Sequence, residues 1–294
     1  MFATLLGSLP RPTLPDDATP EAVLDEILEL QMEHGLEPLI DGGWPLMDGD
    51  PVEAWRATAV RTDRMVKAVL DGPITSGRPA AEVRTVALAL ADAGCRWIEV
   101  REPAATRIGA NAEGRARFAD AHRTLTDGLG GGLHLSLAIT GGSAEAAGIE
   151  TVLAGAYSSL ALDLIDGPDN WRLATATPTE MGIICGAVST RAGSDDGPEA
   201  LLWAAGYAAS TRGRGAARVG LATADSLEAL PWDGAATKVR RLGEAARLAG
   251  MPMDERLAAV DPRAIDARSA ALGRYEPPAS RRSTKSRKSS SPGD

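Results

Sequence analysis

His134 and Ser136 stand two apart in Gly132-Leu133-His134-Leu135-Ser136-Leu137-Ala138-Ile139-Thr140-Gly141-Gly142, a run between glycines with alternating side chains. The alternation predicts a short strand on which both polar groups share one face and converge on one pocket. An imidazole beside a hydroxyl in that arrangement suits a metal site or a polar substrate site. It equally suits a histidine hydrogen bonded inside a core, so the elements around it must decide.

Eight times along the chain a short β-like run precedes a longer helical pattern. The runs are residues 1–9, 37–40, 65–70, 96–100, 132–142, 159–164, 182–188 and 217–222. The helical patterns include 20–35, opened by Pro20 with Val23, Ile27, Leu28 and Leu30 as its apolar stripe, and 51–64, 80–93, 113–127, 144–154, 198–210 and 235–248. The crossover after the sixth run is the weakest. Eight alternations over some 250 residues predict an α/β fold, a (β/α)8 TIM barrel, and no G-x-G-x-x-G follows the first run to argue for an open dinucleotide-binding sheet. In a barrel, active groups belong where strands end and loops toward the helices begin. Ser8, Asp41, Asp71, Glu102, His134, Ser136, Asp163 and Asp225 are expected at or near such ends. Carboxylates there also serve as ordinary helix caps.

Composition narrows the function. The 294 residues carry a net charge of −9 with 44% apolar content. Residues 280–294 hold five basic side chains against Asp294, a net of +4, which leaves −13 on the rest. An acidic body argues against a nucleic-acid-binding domain. The Ser/Pro/Arg/Lys end, 280–294, is expected to be disordered, after a barrel over 1–250 and an extension over 251–279. No apolar run approaches the roughly 18 residues of a membrane span, and no signal-peptide pattern opens the chain. Cys95 and Cys185 lack ligand or disulfide spacing and read as buried small hydrophobes of a cytoplasmic protein. Oligomeric state is left open.

The order of motifs resembles the C-terminal catalytic barrel of cobalamin-independent methionine synthase and its short archaeal and actinobacterial relatives. Leu6-Gly7-Ser8-Leu9-Pro10-Arg11 is similar to that family's GSFPR start, and residues 31–42 to its Q-x-x-x-G-L-x-x-x-x-x-G segment. Residues 66–75 resemble VKGMLTGPVT, and 93–104 resemble AGxxxIQIDEPA. The likeness runs from Leu6 to about Leu248. It implies transfer of a methyl group from a methylated folate to the thiol of homocysteine, which zinc holds as a thiolate because a thiol with a pKa near about 8.5 is mostly protonated at neutral pH.

The departures fall on that chemistry. The family's His-x-Cys is His134 with Ser136 at the Cys position, its zinc-binding Glu is matched by Asp163, and the Cys of its PDCGL motif by Asp225. The homocysteine-binding Glu of its GE pair is Gly43, and the Asp of IDEP is Arg101. Ser8 and Glu102 are kept. The metal-position residues are therefore His134, Ser136, Asp163 and Asp225, a harder set than the family's: zinc, iron, manganese or magnesium are candidate occupants, and so is no metal, with Asp163 and Asp225 orienting His134 as a base. Ser8, Arg101 and Glu102 are the expected substrate-binding residues. A guanidinium at Arg101 favours a carboxylate or phosphate over an ammonium, unless Glu99 or Glu102 neutralises it. Trp44 and Trp171 are candidates for stacking on a pterin-like ring or for packing. Three readings stand: a methionine-synthase-like methyltransferase with a degenerate zinc site; a non-catalytic or metal-independent barrel that binds a small molecule or protein; and a lyase or decarboxylase of the wider group that includes uroporphyrinogen decarboxylase.

Overall fold

Leucine-, valine- and alanine-rich runs bounded by glycine and proline form seven parallel strands: β1 (Phe2–Thr4), β2 (Ala68–Asp71), β3 (Trp97–Arg101), β4 (His134–Ile139), β5 (Ser159–Asp163), β6 (Gly182–Val188) and β7 (Val219–Thr223). They lie in one sheet in the order β1-β7-β6-β5-β4-β3-β2. This computed structural model describes residues 1–46, 49–194, 197–252 and 255. The expectations for 251–279 and 280–294 therefore fall almost wholly outside the described residues.

The second expected strand, 37–40, is reduced to a single parallel bridge, Leu39 with Val66. Pro38 has no N–H to give to a ladder, which is the physical reason the run cannot pair as a full strand. The segment still joins the two edges of the sheet. Glu37 N donates to Ala3 O beside β1, and Leu39 exchanges bonds with Met65 O and Lys67 N ahead of β2, at 2.8 to 2.9 Å. The architecture is an α/β fold of the TIM-barrel type.

Helices pack outside the sheet: α1 (Pro20–Glu33), α2 (Pro51–Ala59), the single turn α3 (Pro73–Ser76), α4 (Ala80–Asp92), α5 (Ala112–Thr126), the short α6 (Ile149–Val152), α7 (Asn170–Ala176), α8 (Pro198–Ser210) and α9 (Trp232–Ala249). The helix expected over 144–154 is broken, because Gly148 at φ 85° ends a 3-10 turn (Glu145–Ala147) before α6 begins. Alternation along the strands divides the core. Leu135, Leu137, Leu160, Leu162, Ile183, Leu221 and their neighbours pack against the helices. Leu6, Trp97, Ala138, Ala161, Ile184 and Ala222 form a separate cluster inside the sheet's curve, with Phe2 against it. Alanines at three of these positions leave room for one large indole. Cys95 and Cys185 are buried and free, and burial pushes the Cys185 thiol up to about 12.

Candidate functional site

The strand over His134 and Ser136 forms, but with the opposite polarity of use. His134 is the first residue of β4, so it lies at the N-terminal end of the barrel and not at the loop end where the site was expected. Its Nε2 is 2.9 Å from Ser159 Oγ at the start of β5, and its ring lies on Trp97 at the start of β3, with centroids 3.7 Å apart. Ser136 is fully buried and accepts a hydrogen bond from Trp97 Nε1 at 3.1 Å. Burial and the charge of Lys67 depress the imidazole to about 4. A cationic imidazole is thus disfavoured, and the geometry is that of a core histidine.

Asp163 and Asp225 sit at the other end. Asp163 closes β5, four residues beyond Ser159, which separates it from His134's partner by about 13 Å along the strand. The residue beside it on the β4 side is Thr140, by continuation of the register that pairs Ala138 with Ala161. Ser136 and His134 are therefore four and six residues too early on their strand to reach the acids. Asp163 is fully buried, and its oxygens accept from Gly142 N, Ile165 N and Asp166 N at 2.9 to 3.0 Å. Burial raises its pKa while these three N–H groups oppose the rise. Asn170 completes the clasp, donating to Gly142 O and Asp163 O. Asp225 accepts from Ser226 N and turns its other oxygen toward Gly141. The structure thus brings Asp163 and Asp225 to the same turn, 141–142, and leaves His134 and Ser136 at the far end of β4.

The expected metal set is accordingly not assembled. Among the described residues, no three His, Cys, Asp or Glu side chains are grouped to hold a metal ion. A buried carboxylate already bonded to three backbone donors and an acid beside a glycine turn do not fit the thiolate-rich centre that zinc chemistry on a thiol demands.

The substrate-binding expectations divide. Glu102 is fully buried, accepting from Ile74 N, Thr75 N and Thr75 Oγ1 at 2.6 to 2.9 Å. A Cβ at Gly72 would fall 2.2 Å from its Oε1, so the glycine is what admits the carboxylate to the start of α3. Behind it, Glu102 Oε1 lies 3.3 Å from His122 Nε2, and His122 Nδ1 bonds the buried Tyr157 hydroxyl. Glu102 anchors the rim loop; it does not face a ligand. The acidic side chain of a strand-end Glu-Pro carried no sign of this in the sequence.

Ser8 and Arg101 do meet, at a cavity of about 410 Å³ on the C-terminal rim, between the ends of β1, β2 and β3 and helix α2. Its polar lining includes Ser8, Asp41, Asp71 and Arg101, and Trp55, Ile40, Val69 and Pro45 supply apolar wall. Gly43, at φ 84°, lets the chain pass over Ser8, whose Oγ a Cβ there would approach to 2.5 Å. Arg101 is neutralised by neither Glu99 nor Glu102. It gives Nε and Nη2 to one oxygen of Asp71 at 3.0 and 2.9 Å, because Asp71 is its register partner on β2. Among the described residues, Nη1 of Arg101 and the second oxygen of Asp71 have no hydrogen-bond partner. Asp41 accepts from Gly43 N at 2.9 Å, and burial raises its pKa against that bond. The cavity offers a matched cation and anion on one wall and a carboxylate on the other.

Beneath the cavity lies a pair that the sequence reading passed over. Lys67 Nζ is 2.5 Å from Glu99 Oε2, with both side chains fully buried, and 2.8 Å from Leu5 O. Among the described residues, Glu99 Oε1 has no hydrogen-bond partner. The signal was present: single charges of opposite sign inside Val66-Lys67-Ala68-Val69-Leu70 and Trp97-Ile98-Glu99-Val100 have to find each other if both strands are buried. Trp44 and Trp171 are packing residues. Trp44 Nε1 bonds Leu9 O, and Trp171 meets Trp203 and Tyr207 edge-on.

No protein-family model and no curated protein sequence matches the chain. Solved structures do. A B12-independent methionine synthase from a Shewanella species, in complex with selenomethionine, superposes with a TM-score of 0.69 at 14% identity, covering 88% of this chain and 99% of that one. A protein from Listeria monocytogenes assigned as a vitamin-B12-independent methionine synthase gives 0.67 at 13% identity, covering 84% and 97%. One from Toxoplasma gondii assigned as a deoxyribose-phosphate aldolase gives 0.51 at 15%, covering 83% and 94%. Among the described residues, no helix is long and apolar enough to cross a membrane. At these identities the likeness is one of fold: the chain is structurally related to B12-independent methionine synthases and shares the TIM-barrel architecture.

Proposed function

We propose that this chain is a methionine-synthase-like barrel that takes a small polar molecule into the rim cavity and works on it, or signals its presence, without a resident zinc ion. The observation that carries the reading is the convergence of Ser8, Asp41, Asp71 and Arg101 on a cavity of about 410 Å³ at the strand ends, the face on which TIM barrels carry their sites. Among the described residues, the lack of three grouped metal-ligating side chains supports the second half. A ligand with one anionic and one cationic group has complementary partners there, with Arg101 Nη1 for the first and Asp41 for the second.

Methyl transfer to a small thiol such as homocysteine, from a methylated folate or similar donor, is the second reading. It is favoured by the similarity to methionine synthases over nearly their whole length. The same cavity would hold the acceptor, and the thiol would need to lose its proton to a protein group, since the described residues hold no group of three metal-ligating side chains.

Titration of the full chain with methionine, homocysteine, a simple carboxylate and a simple amine, followed by calorimetry and by NMR, tests both readings. A ligand of the cavity should lose at least tenfold in affinity in Arg101→Ala and in Asp41→Asn. Unchanged binding in both variants would remove the cavity as the site. Methionine formed from homocysteine and a methylated folate in the presence of chelator would promote the second reading.

A further inference from the structure

We propose that Lys67 is a nucleophilic amine of the rim cavity, and that it forms an imine with a small polar aldehyde or ketone while Glu99 carries the protons. The proposal rests on the reading of the rim cavity as the ligand site and gives it a chemistry that needs no metal.

Four observations support it. Lys67 borders the cavity immediately before β2, with its side chain fully buried beneath the cavity floor, so the amine is one side-chain rotation from the cavity and not open to solvent. Among the described residues, its Nζ has two acceptors, Glu99 Oε2 at 2.5 Å and Leu5 O at 2.8 Å. Among the described residues, Glu99 is its one ionic partner and Glu99 Oε1 is buried without a hydrogen bond, a costly state for a carboxylate oxygen unless another group uses it. Burial lowers the amine's pKa against the pull of Glu99, which favours the neutral, nucleophilic form more than water would.

The step balances. The ammonium of Lys67 gives a proton to Glu99. The free amine turns from Leu5 O into the cavity and attacks the carbonyl carbon, forming the N–C bond as the C=O π bond breaks. The oxygen takes the proton from Glu99. Nitrogen returns one proton to Glu99, which then delivers it to the hydroxyl, and that group leaves as water. Lysine ammonium and carbonyl compound have become protonated imine and water, and Glu99 ends as the carboxylate it began as. Arg101 and Asp71 lie on the same cavity wall to orient polar substituents.

The full chain is incubated separately with pyruvate, dihydroxyacetone and acetaldehyde in the presence of sodium cyanoborohydride, and read by intact mass and peptide mapping. The other lysines, Lys238, Lys285 and Lys288, and the amino terminus are internal controls. The expected result is one increment per chain on the peptide of Lys67 with at least one probe, at least tenfold faster than on any control amine. Glu99→Gln should slow labelling of Lys67 at least tenfold and leave the controls unchanged. Lys67→Arg, which keeps the charge, should abolish the fast increment with an unaltered circular dichroism spectrum. Labelling confined to the control amines, or equally fast on all, overturns the proposal. If a variant fails to fold, the comparison among amines of the unaltered chain still decides. The same probes titrated without reductant separate the two levels: binding that needs Arg101 without an adduct removes the imine and keeps the cavity, and neither binding nor adduct removes both.

Discussion

The imidazole of His134 lies on the indole of Trp97 with ring centroids 3.7 Å apart and planes 31° from parallel, at the N-terminal end of the barrel. That contact places the histidine in the core, where burial and the charge of Lys67 set the sign of a pH effect. Its folded-state value, about 4, lies below the ordinary 6.5. The unfolded chain therefore binds more protons between those values, and stability falls as pH drops from about 6.5 toward 4. The part due to His134 is on the order of 2 kcal/mol, reduced from the full shift for its partial exposure. Urea denaturation at pH 4.5 and 7 should show this loss, and His134→Gln should shrink the difference between the two pH values. An equal difference in the variant would assign it elsewhere.

Glu102 and Gly72 should fail together in stability tests. Glu102→Ala strips acceptors from Ile74 N, Thr75 N and Thr75 Oγ1, at a cost of about 2–4 kcal/mol for buried bonds to a charged group. Gly72→Ala places a methyl inside the carboxylate's radius and should cost a similar amount. Because both act on the same contact, the double variant should lose clearly less than the sum of the single losses. Additive losses in denaturant midpoints would show that the two residues act independently.

Metal binding gives a sharp contrast with the family resemblance. The chain should take up no stoichiometric zinc, and chelator should leave its melting temperature unchanged. More telling is Ser136→Cys with Asp225→Cys, which restores the resembled ligand types. Ser136 lies five residues before Gly141, the glycine beside Asp225, about 16 Å along the strand. The double variant should bind no zinc, as read by metal analysis and by cobalt absorption. Tight binding that depends on both cysteines would place the two positions together and refute this geometry.

Asp163 is expected to matter for folding before it matters for chemistry. Asp163→Ala leaves Gly142, Ile165 and Asp166 N–H groups without their acceptor and should cost about 2–4 kcal/mol. Asp163→Asn, which keeps one oxygen, should cost less. Ligand affinity in the rim cavity of the Asn variant should stay within a factor of two, because Asp163 is not in its lining.

The sequence by itself determined the alternation of strands and helices, the TIM-barrel class and most element ends, because hydrophobic periodicity, proline starts and glycine stops act within a few residues. Helix α8 begins and ends at the predicted Pro198 and Ser210 for that reason. It also marked the loop ends where Ser8 and Arg101 meet. What it left to the tertiary structure was position along a strand. A period of two tells which face His134 shares with Ser136, Ala138 and Thr140 but not which of the four reaches the rim; only the register against β3 and β5 decides that. Pairing of charges is likewise a long-range matter. Arg101 found Asp71 as its register partner on the neighbouring strand, and Lys67 found Glu99 because burying a charge forces a partner at a distance that the order of residues does not encode.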